Sequence, residues 1–120
     1  MTFILMSFYC SAQLTVDGPA SVLNKGSYTY SASYNGWFSY SYSGSYTWTI
    51  SGGVVNRTTD SVRTATAKSN ITEMNINVRW NRLGVCSITL TCGLGTYTKY
   101  VTVLSDLNGG TISPSSQSIN

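Results

Sequence analysis

Apolar and polar side chains alternate along most of this chain with a period of two. In residues 27–33, Tyr28, Tyr30 and Ala32 fall on one side and Ser27, Thr29 and Ser31 on the other. Residues 45–51 repeat the arrangement with Tyr46, Trp48 and Ile50, and residues 75–80 with Ile76, Val78 and Trp80. In residues 85–92, Cys86, Ile88, Leu90 and Cys92 share a face, and in residues 97–104 Val101 and Val103 do. Successive side chains of a strand point to opposite sides of its sheet, so this is the period of half-buried β-strands. Shorter strands are expected at 13–17, at Val54-Val55 and, as an edge strand, near 61–65. Gly18-Pro19, Asn24-Lys25-Gly26, Gly52-Gly53 and the segments 81–84 and 93–95 supply the turns between them.

About seven short strands at intervals of roughly 8–15 residues predict an all-β fold, an immunoglobulin-like antiparallel β-sandwich. Trp48, on a central strand, stands where such a sandwich keeps its core anchor. Trp48, Ile50, Ile76, Val78, Ile88, Leu90, Val101 and Val103 are the expected core. The chain has 120 residues, enough for one domain with a real core. Its low charged fraction, 9 % against 42 % hydrophobic, is the reverse of a disordered composition.

The two ends differ from the middle. Residues 2–9 are mostly apolar, and Cys10-Ser11-Ala12 follows with small residues where signal peptidase requires them. Residues 1–12 therefore read as a truncated signal peptide with cleavage before Gln13, the competing reading being a first strand. The apolar stretch is too short to span a membrane, so no span is expected in the mature chain. Residues 13–104 form the sandwich. Residues 105–120, rich in Ser, Gly and Asn, read as a linker or the start of a following module.

Charge and chemistry narrow the function. The net charge of +3 comes from scattered Lys and Arg with no basic run, so a nucleic-acid partner is not expected. The chain has no His, which removes the usual general base, triad member and commonest metal ligand together. Asp17, Asp60, Glu73 and Asp106 are isolated from one another in sequence, unlike the clustered ligands of a calcium site. Neither an enzyme nor a bound cofactor or metal is expected. Cys86 and Cys92 lie on one continuous strand, where six residues extend about 20 Å, well beyond the reach of a disulfide. They read as separate thiols.

The aromatic segment 34–44 is the best candidate for binding. If residues 37–43 are extended, Phe38, Tyr40 and Tyr42 line one face, with Trp37 beside them. Such rings can stack on sugars or anchor a protein partner. They can equally complete the core or cover one hairpin face. Asn56-Arg57-Thr58 and Asn70-Ile71-Thr72 fit the N-glycosylation pattern. Asp60-Ser61-Val62 resembles a bacterial O-glycosylation acceptor, which would place a glycan on Ser61.

Two further stretches carry a family resemblance. The run from Tyr46 to Gly53, YTWTISGG, resembles the central strand and turn of polycystic-kidney-disease-like (PKD-like) repeats of bacterial surface proteins. The strand ending Val78-Arg79-Trp80, followed by Gly84 and the run from Val85 to Gly93, is similar to their later strands. The Gly-Asp-Gly turn of better-known members is replaced by Gly52-Gly53. The resemblance implies a non-catalytic spacer or adhesion module, secreted or at the cell surface, whose partners are neighbouring domains or another surface protein. It implies no catalytic residues. A carbohydrate-binding module using the 34–44 rings is the alternative.

Overall fold

The computed structural model describes residues 13–105. The expected signal segment, and the expected tail beyond its first residue, lie outside the described residues. Among the described residues, nine strands form two sheets. They are β1 (Leu14–Asp17), β2 (Ser21–Leu23), β3 (Ser27–Tyr34), β4 (Gly44–Ser51), β5 (Gly53–Val55), β6 (Val62–Ala67), β7 (Asn75–Trp80), β8 (Gly84–Cys92) and β9 (Gly95–Leu104). One sheet has the order β1-β3-β7-β5 and the other β2-β9-β8-β4-β6, the arrangement of an all-β sandwich. A 3-10 turn, Ile71–Glu73, precedes β7.

The strands arise where the alternation places them, and register converts alternation into a core. Trp48 pairs with Leu90 and Ile50 with Ile88 across β4 and β8. Tyr28 pairs with Val78 and Tyr30 with Ile76 across β3 and β7. All eight residues expected in the core are buried. Trp48 and Trp80 are both 0 % exposed. Tyr30 meets Trp80 edge-on, with ring centroids 6.0 Å apart. The Tyr30 hydroxyl donates to the Pro19 carbonyl at 2.7 Å, and burial pushes its pKa up to about 12.

Two features depart from the sequence expectation of about seven antiparallel strands. The first is β2, whose three residues bury only Val22 and are too few to display a period. It runs parallel to β9, with Val22 opposite Val103, and needs no hairpin to announce it. The second is the crossing after β4. Gly52 alone separates β4 in one sheet from β5 in the other. Its φ of +97° lies where glycine is favoured, and a Cβ there would collide with the Cys86 thiol. The chain then returns to the sheet of β4 as β6, its edge strand, before crossing again to enter β7.

Ser33 breaks the pattern of β3, being buried beside buried Ala32. Its hydroxyl donates to the Asp17 carboxylate at 2.8 Å and lies 2.6 Å from the Thr15 hydroxyl. With the Ser33 proton committed to Asp17, Thr15 is the donor in that second contact. The chain thus joins β1 to β3 through side chains as well as backbone.

Candidate functional site

The segment between β3 and β4 begins with a reversal. Asn35 has φ 54° and Gly36 φ 82°, the two successive positive values of a tight two-residue hairpin turn. The Tyr34 and Trp37 backbones each donate an N–H to the other's carbonyl at 2.9 Å, closing the turn. A second turn follows at residues 38–39, so the extended course expected for residues 37–43 is not adopted. Asn-Gly is a strong hairpin signal, but alternating Ser and aromatic residues nearby conceal it in the sequence.

The reversal sorts the four candidate rings. Trp37 is 67 % exposed, Phe38 52 % and Tyr40 39 %. They neither complete the core nor form one continuous stripe. Trp37 and Tyr40 come together, with Asn35, Ser39 and Ser41, around an open cleft of about 470 Å³. Phe38 is exposed but does not line it. Tyr42 is half-buried and turned to another task. Its hydroxyl accepts from the Gly93 N–H at 2.8 Å and donates to the Ser45 carbonyl at 3.1 Å. Tyr42 thus fastens the loop to the β8–β9 turn.

A second set of bonds holds the far side of the loop. The Asn70 side-chain amide donates to the Ser39 carbonyl at 3.0 Å. The Ile71 N–H donates to the Tyr40 carbonyl, and the Tyr42 N–H to the Ser69 carbonyl, both at 3.0 Å. Residues 68–73 are themselves held by a capping box. The Glu73 carboxylate accepts N–H bonds from Lys68, Ser69 and Asn70 at 2.8, 2.9 and 3.1 Å. Asn70 accepts from the Thr72 N–H at 2.9 Å. The donors at Lys68 and Ser69, aided by the others, hold Glu73 below the usual carboxylate range. Buried Ile71 and Met74 anchor this support to the core.

The cleft can stack and hydrogen-bond. The Tyr40 ring is backed by Tyr34, with centroids 4.4 Å apart and planes 40° to each other. The Asn35 amide and the Ser39 and Ser41 hydroxyls offer donors and acceptors, and no lining residue bears a charge at neutral pH. Sequence reading missed Asn35, Ser39 and Ser41 as lining residues. It also missed the support from Asn70 and Glu73, although Asn-x-x-Glu is a local capping signal.

The other marked residues lie elsewhere. Cys86 is buried and Cys92 half-buried, and both are free thiols. The Cys86 thiol donates to the Arg82 carbonyl at 3.4 Å. Ser61 is exposed just before β6, where its carbonyl accepts from the Ile50 N–H at 2.8 Å. Asn70 has its side chain committed to Ser39 and Thr72, which opposes its use as a glycan acceptor. Among the described residues, no three Cys, Asp or Glu side chains gather as a metal site would require, and no helix is long and apolar enough to cross a membrane. No protein-family model matches the chain, and a search of curated proteins finds no match.

Proposed function

We propose that this chain is a non-catalytic, immunoglobulin-like interaction module of a secreted or cell-surface protein, and that it makes contact through the 34–44 loop. The observation that carries the reading is the exposure of Trp37 and Phe38 on a loop fastened along both sides. A loop that merely joined two strands would not need large rings in solvent or this many fastenings. Binding residues are characteristically held on loops positioned by a rigid scaffold.

Strand order supports the immunoglobulin-like part. The order β1-β3-β7-β5 corresponds to the ABED sheet of such sandwiches, and β4, β8 and β9 to the CFG sheet. Buried Trp48 on β4 corresponds to the tryptophan of strand C. The chain departs from that plan in placing the D-like strand β5 before β6, which extends the other sheet. It also lacks a Cys on β3 to pair with Cys86. The PKD-like resemblance favours a spacer or adhesion role beside neighbouring domains. The apolar start of the chain favours export, and the absence of His favours a non-catalytic role.

The test uses the full chain displayed by producing cells, with a photo-reactive residue at position 38 or, as control, at exposed Thr49 on β4. Adducts from position 38 and none from position 49 are expected. No adduct from either would leave a bare spacer and overturn the contact reading.

A further inference from the structure

We infer that the cleft between Trp37 and Tyr40 is a binding subsite for a sugar unit of a neutral polysaccharide. This rests on the reading of the 34–44 loop as the contact surface and adds the chemistry of the ligand. A pyranose ring is amphipathic: one face carries C–H groups and the rim carries hydroxyls. The C–H face suits the electron-rich face of an aromatic ring. Trp37 and Tyr40 supply such rings, and Tyr34 buttresses the second. The hydroxyl rim needs partners that both donate and accept. Asn35, Ser39 and Ser41 supply an amide and two hydroxyls around the same cleft.

Charge separates this ligand from the other candidates. The lining holds no cation to pair with a phosphate, a uronate or an acidic peptide, and no anion for a basic one. A nucleic acid would stack on the rings but would leave its phosphates without a counter-charge in the cleft. A neutral, hydroxyl-rich ligand brings no charge for the cleft to leave unpaired. The cleft volume, about 470 Å³, falls within the range of small-molecule sites, roughly 300–1,000 Å³. It is open, so a chain can run through it.

The loop is also ready to bind. The Asn35–Gly36 turn, the Asn70 amide on Ser39 and the Tyr42 hydroxyl on Gly93 fix the backbone around the cleft. Little ordering is left to oppose association. A single open subsite still binds weakly, and several copies on one polysaccharide would raise the avidity.

The experiment is affinity electrophoresis of the full chain in gels containing soluble β-glucan, xylan, mannan or galactan, with polygalacturonate as the acidic control. The variants are Trp37→Ala, Tyr40→Ala, Asn35→Gly and Tyr100→Ala, each checked for an unchanged thermal midpoint. Asn35→Gly keeps the positive φ and removes only the amide. Tyr100 is an exposed ring on β9, outside the cleft lining. Retardation by at least one neutral polysaccharide is expected. It should weaken about tenfold in Trp37→Ala, the equivalent of about 1.4 kcal/mol, weaken measurably in Tyr40→Ala and Asn35→Gly, and persist in Tyr100→Ala. No retardation by any neutral polysaccharide, a preference for polygalacturonate, or equal loss in Tyr100→Ala would overturn the inference. Adducts from position 38 to a protein, with no polysaccharide bound, would overturn the sugar subsite while leaving the interaction module intact.

Discussion

Trp48 and Trp80 are wholly buried, while Trp37 is the most exposed of the three tryptophans in the chain. The residue type is the same, and Ser and Tyr flank both Trp37 and Trp48 in sequence. The difference lies in what fixes the backbone. Trp48 sits on a strand paired on both sides, opposite Arg63 on β6 and Leu90 on β8, so its face is dictated by the pleat. Trp37 follows a two-residue reversal, which ends the alternation begun in β3. Its direction is set by backbone bonds to Tyr34 and by the fastenings to Asn70 and Gly93. A ring on a strand belongs to the core by register, whereas a ring after a tight turn belongs wherever the turn aims it.

The sharpest way to break this comparison is to truncate both kinds of ring. Trp48→Ala should lower unfolding stability by about 3–5 kcal/mol, as removal of a large buried ring does. Trp37→Ala should change it by no more than about 0.5 kcal/mol, as for an ordinary surface site. Urea midpoints measure both, and similar losses would erase the distinction.

Glycines sharpen the same contrast at the level of the backbone. Gly36 has φ +82°, and a Cβ there would meet nothing within 4 Å. Gly36→Ala should therefore cost about 1–2 kcal/mol, from backbone strain alone. Gly52 also has positive φ, but a Cβ would strike Cys86 in the packed crossing between sheets. Overpacking adds about 1–3 kcal/mol to the strain. Thermal melts that rank Gly36→Ala as the more damaging would contradict the tight packing at the crossing.

A smaller effect is expected from the support beneath the loop. Asn70→Ala removes a cap and should lower stability by about 0.5–2 kcal/mol. It should also speed amide hydrogen exchange at Tyr42, whose N–H donates to the adjoining Ser69 carbonyl. Glu73 adds a pH signature. Its folded pKa is depressed, so its stabilising effect is present above the ordinary Glu value of about 4.3 and is lost as pH falls through the folded value. The difference in stability between wild type and Glu73→Gln should be full at neutral pH and shrink in acid. A difference independent of pH between 7 and 3 would mean that the ionised carboxylate is not what holds residues 68–70.

The legible part of the molecule is the part governed by local periodicity. Trp48, Ile50, Ile76, Val78, Ile88, Leu90, Val101 and Val103 could be assigned to the core because each lies on a strand long enough to alternate. Val22 could not, because three residues that join a sheet by parallel pairing leave no pattern. The aromatic loop was visible as unusual but not as a shape. Asn35-Gly36 announces a hairpin, yet the residues beyond it read equally well as extended. The role of Tyr42 depends on Gly93, which is distant in sequence, and the Ser39 contact of Asn70 is likewise non-local. Periodicity reports which side of a strand faces inward; it is silent about which loops meet.

The most direct measurement of the contrast between displayed and packed rings is acrylamide quenching of tryptophan fluorescence in wild type and Trp37→Phe. Wild type should show one readily quenched, red-shifted component together with sheltered emission from Trp48 and Trp80. Trp37→Phe should keep the thermal midpoint and lose the quenchable component, leaving blue-shifted emission that acrylamide barely reaches. An unchanged quenchable component in Trp37→Phe would show that a core ring is open to solvent, or that Trp37 is not displayed, and would contradict the account.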